Sequence, residues 1–134
     1  MASIFTKIIQ GEIPCEKIIE TDSEIAFLDI MPCAEGHTLV IPKLEVKRLE
    51  DLPEFEALSL MRTMQHVAKA VNAAFNGIDY NLILNNGANA GQEVDHVHFH
   101  VLPRPQGSSR PFHQRAKYAE GEMQEMGAKI RNCL

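Results

Sequence analysis

The chain has 134 residues, a mass of 15.0 kDa, 45% hydrophobic residues and a formal net charge of −5. This size and composition suit one domain with a packed core and exclude a disordered chain. The acidic balance, without any long basic run, excludes a nucleic acid polymer as the expected partner, whereas a small anionic ligand is compatible with it.

The first predicted element is a short helix at the start of the chain. Ser3 is a suitable N-cap, and the helix is expected to run to about Gln10, where Gly11 and then Pro14 end it. Its apolar residues share one face, which we expect to pack on a sheet: Ile4, Ile8 and Phe5.

Three strands are predicted next. The segments "KIIE" and "IAFLDI" flank the turn "TDSE", which is the pattern of two strands joined by a tight connection. After the loop "MPCAEG", the apolar run "HTLVIP" ends at Pro42 and predicts a third strand.

A long helix follows these strands. Pro53 suits its first turn, and Gly77 stops it. Its apolar residues recur at three- and four-residue steps and form one stripe that we expect to be buried: Leu58, Met61, Met64, Val67, Ala68, Val71 and Phe75.

The remaining elements complete an α+β pattern. "DYNLIL" and "VDHVHFHVLP" predict two more strands, joined by the turn-forming loop "NNGANAGQ". We therefore expect a mainly antiparallel sheet of about five strands, with one long and one short helix, over residues 1–106. In the tail, residues 107–134, Met123, Met126 and Ile130 form a weak helical stripe. It predicts a helix docked on the domain or on a partner subunit.

Cysteine usage and hydropathy indicate the compartment. The three cysteines, Cys15, Cys33 and Cys133, are odd in number and widely spaced, which favours a reduced, cytoplasmic chain. The opening "MASIFTKIIQGEIP" lacks the continuous apolar region of a secretory signal. No apolar run reaches the roughly 20 residues that span a bilayer, so we expect no membrane partner.

Three histidines alternate with apolar residues in "HVHFHV". On a strand, His96, His98 and His100 line one face, while the residues between them face the long helix. Residues two apart lie about 6.8 Å from each other and residues four apart about 13 Å, at roughly 3.4 Å per residue. Two neighbours could share a zinc ion, but all three could not do so without bending the strand, so a three-histidine metal site is disfavoured.

A catalytic role fits these histidines better. The loop "NNGANAGQ" ends just before them, and its two glycines allow N–H groups to turn inward and hold an anion. A neutral imidazole is a good nucleophile toward phosphorus, and a protonated neighbour would stabilise the phosphate anion. A row of half-exposed histidines without a role remains the alternative.

The triad resembles that of the histidine-triad (HIT) nucleotide hydrolases and transferases, closest to their Hint-like purine nucleoside phosphoramidases. The resemblance runs from about Ile4 to Arg104 and includes "IFTKIIQGEIP", "AFLDI", "GHTLVIPK", the loop Asn85–Gln92 and "HVHFHV". It implies a HIT-like catalytic domain over residues 1–106 that acts as a homodimer. The family's nucleophile falls on His98, its phosphate ligand on His100 and the residue that orients the nucleophile on His96. The fourth family histidine is His37, expected beside His96.

The resemblance also implies the substrate contacts. Asn85, Gly91 and Gln92 would form the phosphate loop, and Asp29 would bind the ribose hydroxyls. The apolar walls around a purine would be Ile8, Phe27 and Ile30, each of which also suits a plain core residue.

Two departures from the family pattern concern the leaving group. Glu93 stands where the best-known phosphoramidases have Ser or Thr, and a carboxylate donates a proton only when its pKa is raised. The tail lacks the family's Trp-containing ending.

Two further histidines lie outside the family pattern. His66 is expected in solvent on the long helix, and His113, in the tail, has no assigned role.

A structural zinc site is not expected, although many bacterial relatives have one. The positions that resemble their cysteine ligands hold Ser3 and Thr6, and Glu45 replaces a histidine, so only His96 remains. Zinc in a structural site needs about four ligands with sulfur or imidazole preferred, which this set does not provide.

The resemblance implies a hydrolase, and we expect it to use no metal or other cofactor. We expect it to attack the α-phosphate of purine nucleoside phosphoramidates through a nucleotidyl-histidine and to release a nucleoside monophosphate such as AMP. A dinucleoside polyphosphate hydrolase is the enzymatic alternative. A nucleotide-binding or scaffold protein without turnover is the alternative from another class.

Overall fold

One antiparallel sheet organises the chain. The computed structural model describes residues 2–107 and 114–134, so His113 lies outside the described residues. The strands are β1 (Lys17–Glu20), β2 (Glu24–Leu28), β3 (Thr38–Pro42), β4 (Asp79–Leu84) and β5 (Phe99–Arg104). Their order across the sheet is β1-β2-β3-β5-β4, and every neighbouring pair is antiparallel. The predicted α+β fold with a five-stranded antiparallel sheet is confirmed.

Within the described residues, three helices accompany the sheet: α1 (Ile4–Ile9), α2 (Glu54–Ala74) and α3 (Glu122–Arg131). The predicted short and long helices are confirmed, and the tail contributes the third. Single 3₁₀ turns at Leu49–Asp51 and Ala88–Ala90 were not predicted, because one turn leaves no periodic pattern in a sequence. Among the described residues, no helix combines the length and apolar character needed to cross a bilayer.

Both faces of the central strands are covered. Every residue of β2 and β3 is buried, because alternate side chains pack against different helices. On one face, Ala26, Leu28 and Val40 join a core with α2. On the other face, a second apolar cluster packs under α1 and consists of Phe5, Ile25, Phe27, Leu39 and Ile41. The candidate site lies on this second face.

The buried stripe of α2 differs from the prediction at its N-terminal half. Met64, Val67 and Val71 are buried as expected, but Leu58 and Met61 are 65% and 53% exposed. The helix carries apolar side chains on two faces, and its periodicity alone does not show which face meets the sheet. The structure buries Leu60, Thr63, Ala70 and Ala74 in their place.

The last strand is shorter than predicted. It begins at Phe99, so His96 and His98 precede it. The segment before it is held by contacts that a sequence pattern cannot reveal, such as the bond from the Val97 N–H to the Val46 carbonyl at 2.8 Å. Val97 nevertheless lies in the α2 core as expected.

Helix α3 packs on its own chain. Ile130 is fully buried in the same core as α2, and the Arg131 guanidinium donates to the Glu16 carboxylate and the Lys17 carbonyl, both at 2.6 Å. Because α3 packs in the main hydrophobic core, the tail contributes to the stability of the domain. The division of the chain at residue 106 remains a prediction.

Candidate active site

The catalytic face is produced by the alternation of β5 and the residues before it. Val97 and Val101 point into the α2 core, and this places His98 and His100 on the opposite face. The centroids of these two imidazole rings are 4.9 Å apart. His100 pairs in register with Leu39 of β3, whose neighbour in β2 is Phe27, so the imidazoles continue the apolar row under α1.

A cavity of about 640 Å³ opens in front of the two imidazoles, a volume suited to a small-molecule ligand. Nine of the residues predicted for the site line it: Ile8, Phe27, Asp29, Ile30, Asn85, Gly91, Glu93, His98 and His100. His37, His96 and Gln92 are not on its wall and lie buried behind it. Most of the predicted residues therefore lie on the cavity wall, and the remaining ones are buried behind that wall.

One end of the cavity is apolar. Phe27 is almost fully buried, whereas Ile30 is 66% exposed at the rim. Ile13, Pro14 and Cys15, in the loop after α1, complete this wall and were not singled out from the sequence. Such a surface suits a flat aromatic ring, because it offers dispersion contacts without polar competition.

The tautomer of His98 follows from its neighbour. Its Nδ1 lies 2.7 Å from the carbonyl oxygen of His96, which only accepts hydrogen bonds. The neutral ring therefore carries its proton on Nδ1 and has a lone pair on Nε2. His96 is itself fixed, because its Nε2–H donates to the Pro42 carbonyl at 2.8 Å. The carbonyl of His96 thus orients His98 as the resemblance implies.

His37 contacts His100 rather than His96, which corrects the expected pairing. The Nδ1 of His37 accepts the Cys33 N–H at 3.0 Å, so its proton is on Nε2. That Nε2–H donates to Nδ1 of His100 at 2.9 Å, which places the proton of His100 on its own Nε2. The cavity therefore meets a lone pair on His98 next to an N–H on His100.

All four histidines favour the neutral form. Burial lowers the pKa of His37 to about 4 and, together with the neighbouring His98, that of His100 to about 2. Burial also lowers the pKa of His96 and of His98 below the ordinary 6.5. The expected protonated neighbour is therefore absent among these four, and a phosphate would meet neutral donors at pH 7.

The loop before the triad is braced by Gln92. Its amide accepts the Gly87 N–H at 2.7 Å and donates to the carbonyls of Lys47 and Val94 at 2.7 and 2.9 Å. This side chain braces the loop from the side away from the cavity, and a direct contact of Gln92 with the substrate stays a prediction. Gly91 has φ +94°, in the region that favours glycine, and lies beside the Asn85 amide.

The N–H groups of this loop are largely engaged. Those of Ala90 and Gln92 donate to the Gly87 carbonyl, and that of Gly91 donates to the Ala88 carbonyl. These groups are paired within the loop before any ligand binds. The expected anion-binding nest is therefore not formed from them.

Asp29 lies at the polar end of the cavity and has an unexpected partner. Its Oδ2 accepts from the Arg115 guanidinium at 2.9 Å, and its Oδ1 accepts the Met31 N–H at 2.9 Å. Arg115 comes from the tail and also lines the cavity. This contact could not be predicted from the sequence, because the two residues are 86 positions apart and no periodic pattern connects them.

Asp29, His37 and His100 also have ligand atoms within 4.8 Å of one another, as a metal site would need. The facing nitrogens of the two histidines are, however, joined by a hydrogen bond. A metal ion would have to break this bond, which sets the tautomer of His100. The donor set therefore fits the hydrogen-bonded arrangement better than a metal ion.

Comparison with known proteins identifies the family of this chain. The family model of the HIT domain matches residues 10–107. The chain belongs to the histidine-triad (HIT) family. An adenosine 5'-monophosphoramidase of Schizosaccharomyces pombe is 43% identical over 105 residues, which cover 78% of this chain and 76% of the relative.

Solved structures of HIT proteins share the fold over the whole length. A Hit-like protein of Bartonella henselae is 39% identical with a TM-score of 0.88, covering 98% of this chain and 96% of that one. A zinc-bound histidine triad protein of Mycobacterium smegmatis is 32% identical with a TM-score of 0.86, covering 99% and 93%.

This HIT chain has a hydrogen-bonded cluster where a zinc site was considered. The Ser3 hydroxyl lies 2.8 Å from Nδ1 of His96, and the Glu45 carboxylate accepts the Ser3 N–H at 2.8 Å and the Thr6 hydroxyl at 2.5 Å. Every polar group in this cluster has a matching donor or acceptor. Hydrogen bonds therefore connect α1 to the triad segment.

The apolar contact of α1 also differs from the prediction. Phe5 is the buried residue, and its ring packs edge-on against His98 with centroids 4.9 Å apart. Ile4 is 51% exposed, and Ile8 is only partly buried on the cavity wall.

Proposed function

We propose that this HIT protein hydrolyses purine nucleoside phosphoramidates at the α-phosphorus. The observation that carries the proposal is the arrangement of the two imidazoles: His98 offers an unprotonated Nε2, and His100 beside it offers an N–H. A nucleophile and a hydrogen-bond donor on rings whose centroids are 4.9 Å apart suit attack on a phosphorus atom whose oxygens need stabilisation. The S. pombe relative, named as an adenosine 5'-monophosphoramidase, supports the same reaction class.

The reaction proceeds in two displacements. The Nε2 lone pair of His98 forms a bond to phosphorus, and the P–N bond breaks with its electron pair on the amine nitrogen, which takes a proton from water. The Nδ1–H stays bonded to the His96 carbonyl, which stabilises the positive charge that develops on the ring. A water molecule then attacks phosphorus, and the Nε2–P bond breaks with its electron pair on Nε2, which returns neutral His98. The proton of this water passes to the hydroxide left by the first displacement, and the nucleoside monophosphate such as AMP is released.

The other cavity residues bind the substrate. The purine lies against Ile8, Phe27 and Ile30, and the Asp29 carboxylate accepts hydrogen bonds from the ribose hydroxyls. Asn85 faces the phosphate, and Gly91, which lies beside the Asn85 amide and has no side chain, leaves room for it. His37 acts through His100 by fixing its tautomer, and no cofactor takes part.

Glu93 favours an amine over a nucleotide as the leaving group. Its side chain lines the cavity beside His98. Burial lowers the pKa of His98, and the negative charge of Glu93 opposes part of that shift, which agrees with a position near the reacting atoms. A negative charge there attracts a cationic amine and repels a polyphosphate. This preference distinguishes the proposed phosphoramidase from a dinucleoside polyphosphate hydrolase.

The substrate preference is tested by kcat/KM for adenosine 5'-phosphoramidate and for diadenosine triphosphate. We expect the phosphoramidate to be favoured by at least about tenfold, or roughly 1.4 kcal/mol in transition-state binding, and Glu93→Gln to reduce the ratio. A preference for diadenosine triphosphate would instead identify the polyphosphate hydrolase. Tight AMP binding without turnover of either compound would identify a binding or scaffold protein.

We infer that the protein is a homodimer formed through β4 and the outer face of α2. Strand β4 is an edge of the sheet, so its free backbone groups can pair with a second strand. Next to it, Leu58, Met61, Tyr80 and Leu82 are 40–65% exposed and line one groove. A second copy, related by a two-fold axis, would bury the same apolar patch on both subunits.

The dimer is tested by sedimentation. Leu82→Glu should produce a monomer, whereas Leu44→Glu, which alters an exposed leucine elsewhere, should not. A monomeric wild-type protein at micromolar concentration would overturn the inference. We also infer a cytoplasmic location, which agrees with three cysteines that form no disulfide in the described part of the chain.

A further inference from the structure

The described part of the chain contributes one lysine or arginine side chain to the cavity. Among the described residues that line it, Asp29 and Glu93 are acidic, and only Arg115 is a lysine or an arginine. Burial keeps the four histidines neutral, so they supply hydrogen bonds without a formal positive charge. A nucleotide phosphate entering this cavity would meet two carboxylates, and one guanidinium to compensate its charge.

Arg115 lies close to the imidazoles. Its Nη1 is 2.9 Å from Oδ2 of Asp29, and that oxygen is 3.9 Å from Nε2 of His37. Nε2 of His37 is in turn 2.9 Å from Nδ1 of His100. The charge of Arg115 acts on both histidines and lowers their pKa values, which agrees with this proximity.

The tail segment that carries Arg115 is fixed in place. The Arg115 guanidinium also donates to the Met31 carbonyl at 3.1 Å, and the next residue, Ala116, donates its N–H to the Pro32 carbonyl at 2.8 Å. The Tyr118 hydroxyl accepts the Gly36 N–H at 2.9 Å. These contacts join the tail to the loop between β2 and β3, so the guanidinium is held at the cavity before a ligand arrives.

We propose that Arg115, supplied by the C-terminal tail, is the residue that recognises the negative charge of the substrate phosphate. This assignment rests on the proposed function, because it takes the cavity to be the nucleotide site. The tail thereby contributes to specificity: a nucleotide is preferred to a nucleoside because only the nucleotide carries the charge that Arg115 compensates. Pairing with Asp29 positions the guanidinium and keeps that carboxylate from repelling the phosphate.

The test compares a nucleotide with the corresponding nucleoside. Calorimetry would give the Kd of AMP and of adenosine for wild type, Arg115→Gln, Arg115→Lys and Lys117→Gln. We expect Arg115→Gln to weaken AMP by about tenfold or more while adenosine changes by less than about twofold. Arg115→Lys should recover part of the loss, because it keeps the charge. Lys117→Gln removes the same charge from an exposed tail position and should behave as wild type.

Two outcomes would overturn the assignment. Equal weakening of AMP and adenosine by Arg115→Gln would mean that the residue only supports the shape of the pocket. The second outcome is measured in a protein that already carries Asp29→Asn. If Arg115→Gln does not change the ratio of the Kd values of AMP and adenosine in that protein, Arg115 acts only by neutralising Asp29. A change that persists supports direct recognition of the phosphate.

Failure of the proposed reaction would look different. The two Kd values are measured without turnover, so they report on Arg115 even if the protein hydrolyses neither substrate class. Conversely, the Arg115→Gln variant can still hydrolyse the substrate through His98. That result would support the proposed function, and the role of Arg115 would then be judged from the ratio of the two Kd values alone.

Discussion

The two imidazoles that face the cavity have different protonation patterns because each has a different partner. A carbonyl oxygen beside His98 requires a proton on Nδ1, whereas the N–H of His37 beside His100 requires a lone pair there. One ring is thereby prepared to attack and the other to donate. The two rings therefore differ in protonation because of these hydrogen bonds, although both are histidines.

His98→Ala should remove turnover while leaving AMP binding largely intact. The substitution deletes the proposed nucleophile, and loss of covalent catalysis costs several orders of magnitude in rate. Steady-state kinetics and calorimetry on the same preparation provide the measurement, with His66→Ala, an exposed residue of α2, as the control. Retention of more than about a tenth of wild-type kcat/KM, a loss below roughly 1.4 kcal/mol, would exclude His98 as the nucleophile.

Asp29→Asn should weaken a ribonucleotide more than its 2',3'-dideoxy analogue. A carboxylate that accepts two hydroxyl hydrogen bonds contributes roughly 1.5–3 kcal/mol. Because both ligands carry the same phosphate, the comparison cancels the effect of the lost ion pair with Arg115. Calorimetry should give a larger loss of affinity for the ribonucleotide, and equal losses would remove Asp29 from the ribose site.

At this scale, sequence reasoning located nine of the cavity residues but missed their partners. The triad and "GHTLVIPK" carry local motifs, so His37, His98 and His100 could be found from their order alone. The pairing of His37 with His100 depends on the register of β3 and β5, which a single sequence does not reveal. Arg115 has no motif, and only the folded tail brings it to the site.

Among the elements, α1 shows how a hydrogen-bonded cluster can connect a helix to a catalytic segment. Ser3 caps the helix by accepting the Thr6 N–H at 3.0 Å, and the same hydroxyl faces His96. Because His96 presents its carbonyl to His98, the position of α1 is coupled to the position of the proposed nucleophile. Phe5 adds a direct contact with the His98 ring.

We expect the protein to need no zinc for this arrangement. Elemental analysis of untagged protein should find zinc well below one equivalent, and a chelator should leave the melting temperature unchanged. Ser3→Ala should instead lower the free energy of unfolding by about 1–2 kcal/mol, because it removes the N-cap and the partner of His96. Lys7→Ala, on the exposed face of α1, is the matched control and should stay within about 0.5 kcal/mol. Near-stoichiometric zinc that survives dialysis, with a melting temperature lowered by the chelator, would overturn this expectation.

The elements with a strong local pattern were predictable. The strand β4 was predicted over its whole observed length, and β1 and β2 were placed correctly around their turn, because turn residues mark their ends. The start of β5 and the buried face of α2 could not be predicted. In both cases long-range packing decides between alternatives that the local sequence permits equally.

At the scale of the whole molecule, four buried histidines make the fold sensitive to acid. Their folded pKa values lie below those of an unfolded chain, so the unfolded state binds more protons as the pH falls below 6.5. Stability is therefore fully present above pH 6.5 and is lost as the pH decreases toward the folded pKa values. For His37 and His100 this window extends to about 4 and about 2.

The free energy of unfolding should decrease by about 2–3 kcal/mol between pH 6 and pH 5. Each histidine that stays neutral in the folded state while its unfolded counterpart is protonated contributes a slope of about 1.4 kcal/mol per pH unit. His37 and His100, with folded pKa values of about 4 and about 2, are the two that account for this decrease. Urea titrations at the two pH values provide the measurement. The variant His66→Gln should show the same slope, because that side chain is exposed. A free energy that stays constant over this interval would contradict the neutral state of the buried histidines.

The central claim, a covalent nucleotide on His98, is tested most directly by the stereochemical course at phosphorus. An adenosine phosphorothioamidate of one configuration would be hydrolysed in ¹⁸O-labelled water, and the configuration of the product determined by NMR. Two in-line displacements, first by Nε2 of His98 and then by water, each invert phosphorus, so the account predicts net retention. Net inversion would show a single displacement by water and would contradict the nucleotidyl-histidine.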